Sequence, residues 1–316
     1  MIFKNTFKLL LSNFNLTYKI LLHKLIAFLL AIGIAGTIGE PFLMHLAENK
    51  VFDYILNETI YLFENINIGN IFIYIKTIFN EIIIVIQNLN LSLLINALVA
   101  ICTFFVIYKL ISGLSELAVI DCLNGNMSSK TKLSFFKSLI SKMFKSFSMS
   151  IIKFIISIPV IISLGFLFYY GFIFYDIYGG VAKILIPFVM FSLFVLVIGF
   201  YLSLIAGFSS SIIVNGEGVF KSLKRGFSAI NKKYFRVLST SIIIVFLLTI
   251  SNLFLAAYSF FASLILTLPM TTLILCLFKI VTYYECNGMR YYVGENIRTP
   301  LRVCEQDKMK KLKYIV

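Results

Sequence analysis

Gly218-Val-Phe-Lys-Ser-Leu-Lys-Arg-Gly-Phe-Ser-Ala-Ile-Asn-Lys-Lys-Tyr-Phe-Arg236 is a short basic segment that feeds directly into a long apolar run. Phe220, Leu223, Phe227 and Ile230 fall at helical spacing and share one face. Lys221, Lys224, Arg225, Lys232 and Lys233 lie mostly off that face. Such a helix suits the membrane interface, with its apolar side at the acyl boundary and its cations among the headgroups. The same device recurs at residues 1–20, where Phe3, Phe7, Leu10 and Phe14 form the stripe, and within 121–147, where Phe136, Ile140, Met143 and Phe147 do.

The surrounding composition agrees. Of 316 residues, 60% are hydrophobic and 13% charged, against about 25% charged in a soluble domain. The mean hydropathy is +0.96. The net charge of +14 reads as cytoplasmic loops rich in Lys and Arg and as contact with anionic lipid. No basic stretch has the aromatic context of a nucleic-acid module. An Ile-, Phe-, Lys- and Asn-rich chain without Trp suits an AT-rich bacterial genome. Cys102, Cys122, Cys276, Cys286 and Cys304 fall in predicted spans or inner segments, so free thiols are expected. The beginning of the chain lacks the pattern of a cleaved signal peptide.

Six apolar runs are long enough to span, at about 20–43, 91–114, 148–174, 184–209, 237–258 and 262–284. Glu40-Pro41 marks the outer end of the first, and Gly33, Gly36 and Gly39 within it invite close approach of a neighbouring helix. The run from Val237 to Tyr284 must fold back near Tyr258-Ser259-Phe260-Phe261, with Pro269 a kink. Residues 47–90 hold five acids and two lysines and read as an extracytoplasmic helical segment. Within it, Ile71–Ile86 carries Lys76, Asn80 and Glu81 and is too short to span, so it is an interfacial or packed outer helix. Tyr169, Tyr170, Tyr175 and Tyr178 form an interfacial belt.

Charge sets the orientation. Residues 1–24 hold four lysines and no acid, residues 121–147 five bases and Asp121, and residues 212–236 six bases and Glu217. The tail, 285–316, holds seven bases and four acids. With six spans all four segments share one side, and the positive-inside rule places both termini in the cytoplasm. The expected fold is therefore all-α, a single transmembrane domain over 1–316. It has six transmembrane helices and amphipathic elbow helices before spans 1, 3 and 5. The localisation follows as a bacterial inner (plasma) membrane.

Phe-Lys-Ser-Leu occurs identically at Phe136–Leu139 and Phe220–Leu223, and Phe3-Lys4-Asn5-Thr6 is a looser version. Three units, each an elbow and a hairpin, share this geometry; duplication and biased composition both account for it. Glu217-Gly218, then Phe220-Lys221-Ser222-Leu223-Lys224-Arg225 and Lys233-Tyr234-Phe235-Arg236-Val237-Leu238, resemble the membrane domain fused to some glycerophosphodiester phosphodiesterases. They also resemble a broad group of uncharacterised bacterial six-span proteins. About 35 residues carry the likeness. Lys221-Ser222 stands where the group often has Glu-Ala, and Gly226 where it often has Ser. No counterpart of the soluble phosphodiesterase domain is present, so the resemblance implies architecture and no catalytic residue.

Candidate sites are few. His23 and His45 sit at opposite ends of span 1, and Cys286 and Cys304 lack zinc spacing, so neither a metal nor a cofactor is expected. No phosphate loop or dinucleotide fingerprint occurs. Hydrolase triads fail for want of histidine. Glu40 is an acid inside a span, a functional candidate against a reading as an interfacial carboxylate. Asn96 and Asn252 are expected to hydrogen-bond between helices, or to line a path. Lys109, Glu116, Lys183 and Lys279 are expected to snorkel. The basic elbow, Lys221, Lys224, Arg225, Lys232 and Lys233, reads as topology and anchoring, or as docking of anionic lipid or a cytoplasmic partner. The sequence thus points to a non-enzymatic membrane protein acting on lipid organisation or envelope homeostasis. The alternative is the permease subunit of an ATP-driven transporter with a separate ATPase.

Overall fold

The run from Leu273 to Cys286 is apolar around most of a helix's circumference, a pattern that needs cover on nearly every side. In the computed structural model that cover is supplied by the rest of the chain. The structure describes residues 2–64, 77–78, 81, 84, 89–177, 181–259, 262–294 and 296–298. Its helices are α1 (Ile2–Ser12), α2 (Leu16–Glu48), α3 (Val51–Glu64), α4 (Leu91–Ser129), α5 (Phe135–Ser141), α6 (Met143–Ile177), α7 (Val181–Ile205), α8 (Phe208–Asn215), α9 (Val219–Asn231), α10 (Tyr234–Tyr258) and α11 (Leu264–Asn287). A hairpin follows, β1 (Tyr291–Val293) antiparallel to β2 (Asn296–Arg298).

Six helical stretches are long and apolar enough to cross a membrane: Leu16–Glu48, Leu91–Ser129, Met143–Gly171, Leu185–Asn215, Tyr234–Ala256 and Leu264–Asn287. They coincide with the six expected runs, but three boundaries differ for physical reasons. α2 passes through Pro41 to Glu48, because a proline removes one backbone donor and can be carried in a long helix that is packed elsewhere. α4 continues beyond residue 114 to Ser129. The polar residues that lower its hydropathy there have protein partners: Asp121 accepts from Ser138, Asn124 from Tyr284, and Asn126 donates to Asn13. The fourth span is broken at Ala206-Gly207, where α7 ends and α8 begins.

The described chain divides into two compact units, residues 1–25 with 110–316, and residues 26–109. In the larger unit α11 is the central helix. Leu273, Leu277, Phe278, Ile280, Val281 and Tyr284 pack with Leu9 and Leu10 of α1, Ile20 of α2, Val119, Ile120 and Leu123 of α4, and Tyr291 of β1. α1 is buried along Ile2, Asn5, Thr6, Leu9 and Leu10, with Phe3 and Phe7 packed against the same core. The hairpin is tied in by polar contacts. Asn5 Nδ2 donates to the Tyr291 hydroxyl at 2.7 Å, and that hydroxyl donates to Glu285 Oε1 at 2.8 Å. Residues 299–316, with the lysines of the expected basic tail, lie outside the described residues.

In the smaller unit Phe28 of α2 meets Phe104 and Tyr108 of α4 edge-on, with centroids 5.9 and 6.3 Å apart. Of the three glycines in α2, Gly39 makes a close approach: a Cβ there would lie 3.0 Å from that of Ala100, whereas Gly33 and Gly36 have nothing within 4 Å. α3 provides one helix of the acidic 47–90 segment. The expected helix at Ile71–Ile86 falls largely outside the described residues.

Candidate functional site

The basic elbow forms α9, capped at its start by Gly218 in an extended conformation. Its packing face is made of small residues: Ser222, Gly226 and Ala229 are buried, with Ile230. Gly226 lies against Gly207 at the α7–α8 break; a Cβ on Gly207 would come 2.5 Å from the Gly226 carbonyl oxygen. Only glycine lets the two backbones meet so closely, so α9 crosses the chain at the point where the fourth span breaks. The two phenylalanines of the stripe are pushed outward, while Leu223 is half-buried and Ile230 buried. Phe220 is 80% exposed and Phe227 55%.

The other Phe-Lys-Ser-Leu copy is set in the same way. Phe136 and Lys137 are exposed, Ser138 is buried and Leu139 half-buried, as are Phe220, Lys221, Ser222 and Leu223 in turn. Ser138 donates to Asp121. Phe136, Ile140, Met143 and Phe147 all face outward, and Phe144 beside them is 89% exposed. The first amphipathic segment departs from this pattern: α1 turns Phe3, Phe7 and Leu10 into the core, while Phe14, beyond its end, is exposed.

The cations of α9 are not equivalent. Glu217 Oε1 accepts from Arg225 at 2.5 Å and lies 3.6 Å from the Lys221 ammonium. Lys224 and Lys232 are exposed. Lys233 reaches back to the Glu285 carbonyl oxygen at 2.7 Å. Lys232, Lys233 and Arg236 line a concavity of about 440 Å³ with Asn231, Tyr234 and Phe235. The other predicted residues lie elsewhere. Glu40 is exposed on α2. Asn96 donates to the Ile38 carbonyl at 2.7 Å, joining α4 to α2. Asn252 donates to Thr271 at 3.0 Å, joining α10 to α11.

The most concentrated polar group is one that hydropathy passes over. Glu116 of α4, Lys153 of α6, Lys279 of α11 and Ser209 of α8 meet inside the larger unit. Glu116 Oε1 accepts from Lys153 at 2.5 Å, from Lys279 at 2.7 Å and from the Ser209 hydroxyl. The side chains of the three charged residues are only 7–14% exposed. The Phe208 ring lies 5.8 Å from the Lys153 ammonium. Glu116 and Lys279 therefore turn inward instead of snorkelling, because each finds an opposite charge within the protein. Lys109 makes a contact within the protein, and the Lys183, Tyr175 and Tyr178 side chains lie outside the described set. The signal for this cluster was Lys153, alone in the apolar run Ile151–Ile156. An ionisable residue at such a position faces a partner or a polar cavity.

Among the described residues no group of three or more His, Cys, Asp or Glu could hold a metal ion. His23 hydrogen-bonds the Ile111 carbonyl at 3.0 Å and His45 pairs with Asn49. Cys102, Cys122, Cys276 and Cys286 are free thiols, the last three buried, and Cys304 lies outside the described residues. With six apolar helices of spanning length, the chain is a multi-pass integral membrane protein. No protein-family model, curated protein or solved structure matches it.

Proposed function

We propose that this is a non-enzymatic protein of a bacterial inner (plasma) membrane, with both termini in the cytoplasm, that works at the lipid–water boundary in lipid organisation or envelope homeostasis. One observation carries the reading. Two copies of Phe-Lys-Ser-Leu bury the serine and present the phenylalanine and lysine outward. Exposed aromatics beside cations are suited to the boundary between headgroups and acyl chains. The proposal draws on the likeness to the membrane domain fused to glycerophosphodiester phosphodiesterases for architecture only.

The chain has no tryptophan, so Phe227→Trp introduces a single reporter. In vesicles containing brominated phospholipid its emission is quenched if α9 lies in the interface. Unquenched emission at the wavelength of indole in water would overturn the reading. For orientation, a cysteine placed at Lys224 stays unlabelled by an impermeant reagent in intact cells; labelling would reverse the topology.

A second reading, the permease subunit of an ATP-driven transporter, is favoured by the buried Lys153–Glu116–Lys279 group and the broken α7–α8 helix. Intramembrane charges and discontinuous helices mark substrate paths in transporters. A stoichiometric ATPase copurifying with the tagged chain would replace the first reading by this one.

A further inference from the structure

We infer that one face of α10, with the basic concavity at its start, is a binding site for a single anionic phospholipid; this rests on the lipid-boundary reading above and names the lipid and its seat. Phe235, Leu238, Ile242, Thr249 and Leu253 are spaced by three, four, seven and four residues, so they share one side of α10. Three concavities lie against that side in chain order, the second and third separated by Val245, which packs with Val195 and Leu202 of α7. The first, about 440 Å³, is lined by Lys232, Lys233, Phe235 and Arg236. The second, about 480 Å³, is walled by Leu238 and Ile242 with Pro159 of α6 and Phe200 of α7. The third, about 470 Å³, is walled by Thr249 and Leu253 with Phe168 of α6 and Phe194 of α7. The first is polar and cationic, and the other two are almost wholly apolar. From Phe235 to Leu253 the helix rises roughly 27 Å, enough to lie alongside an acyl chain.

The charge at the head of this track fits an anion. Lys232 and Arg236 are exposed, and among the described residues neither makes an ion pair. Lys233 spends one donor on the Glu285 carbonyl, and an ammonium has three. By contrast, Lys221 and Arg225 on α9 already share Glu217. Lys224 on α9 is exposed too but lines none of the three concavities, so the cations placed for a phosphate are those at the start of α10, the end of the helix from which the apolar concavities run. A zwitterionic lipid fills the track equally well but brings its own cation to the basic end, so the site selects for net negative charge. A soluble glycerol phosphate has the head chemistry without the chains.

The test is lipid retention by the purified full-length chain in detergent, titrated with phosphatidylglycerol or phosphatidylcholine of matched chains and read by native mass spectrometry. The wild type retains phosphatidylglycerol preferentially. K232Q/R236Q, which leaves the Lys233 bond to Glu285 in place, lowers that retention roughly thirtyfold and leaves phosphatidylcholine unchanged. Leu238→Trp with Ile242→Trp, which fills the track, lowers retention of both lipids. Glycerol 3-phosphate at equal concentration does not displace phosphatidylglycerol. Undiminished phosphatidylglycerol retention in K232Q/R236Q overturns the site, as does displacement by glycerol 3-phosphate. K221Q/K224Q/R225Q separates the two levels. If it lowers retention and K232Q/R236Q does not, the α10 site is wrong and the lipid-boundary reading stands. If neither does, both fail.

Discussion

Gly207 and Gly226 touch backbone to backbone. A Cβ added to Gly226 would lie 2.7 Å from the Gly207 carbonyl carbon, and one added to Gly207 would lie 2.5 Å from the Gly226 carbonyl oxygen. Neither neighbour is a flexible side chain, so the contact cannot give locally. It fixes where α9 crosses the break between α7 and α8.

Gly226→Ala should therefore destabilise the protein by about 1–3 kcal/mol, the usual cost of overpacking. Gly165→Ala in α6, with nothing within 4 Å of the new carbon, should be neutral or slightly stabilising. Thermal unfolding in detergent compares the two. Equal melting temperatures for both variants would show that the glycine contact is slack.

The buried cluster makes an asymmetric prediction. Glu116→Gln leaves Lys153 and Lys279 facing each other without a carboxylate, and loss of a buried partner costs about 3–5 kcal/mol. Lys153→Met leaves the Glu116–Lys279 pair intact and removes one of two cations held by a single oxygen, so it should cost much less. The melting temperature should fall further for Glu116→Gln. The reverse order would mean that Lys153, and not the carboxylate, holds the helices together.

Tyr291 gives a pH dependence. Burial, then the nearby Glu285 carboxylate, raises its phenol above the ordinary tyrosine value. The neutral phenol is favoured in the folded state, so the folded protein holds its proton where the unfolded chain has released it. That stability is fully present below about pH 10 and is lost as pH rises beyond it. Tyr291→Phe loses the bonds to Asn5 and Glu285, a cost of about 1 kcal/mol each, and its unfolding midpoint should decline less steeply above pH 10. Parallel declines in wild type and variant would assign the pH sensitivity to other groups.

The exposed stripe beside α5 should be energetically silent within the protein. Phe144→Ser removes a side chain that is almost wholly exposed and should change unfolding in detergent by no more than about 0.5 kcal/mol. Phe135→Ser, nine residues earlier at the start of α5 and fully buried, should cost about 3–5 kcal/mol. A comparable loss for Phe144→Ser would show that its face is covered in the assembled protein.

Hydropathy and length were enough to find the six spanning helices, because an apolar stretch of about 20 residues has few other uses. What lay beyond them depends on partners. The end of α4 reads as a loop until Tyr284, Asn13 and Ser138 are seen to satisfy its polar side chains. The amphipathic stripes were legible as stripes, but not which way each would turn. In α1 the phenylalanines go inward because α11 offers a surface, and in α9 they go outward because Gly226 and Ser222 occupy the packing face. Lys279 was expected to snorkel and Lys153 drew no reading, since their common partner Glu116 is 163 and 37 residues away in the chain.

The bond from Asn5 to Tyr291 joins residues 286 positions apart. In synthesis from the N-terminus, α1 lacks the main surface it packs on until α11 and the hairpin have emerged. The five preceding spans can enter a bilayer one after another, yet the core that α1, the end of α4 and α11 share closes only with the last span. Such long-range closure is slow and leaves apolar surface uncovered in the meantime. A ribosome stalled before residue 264 would leave a chain threaded through the membrane with its first helix still undocked, a natural signal for quality control that the molecule is unfinished.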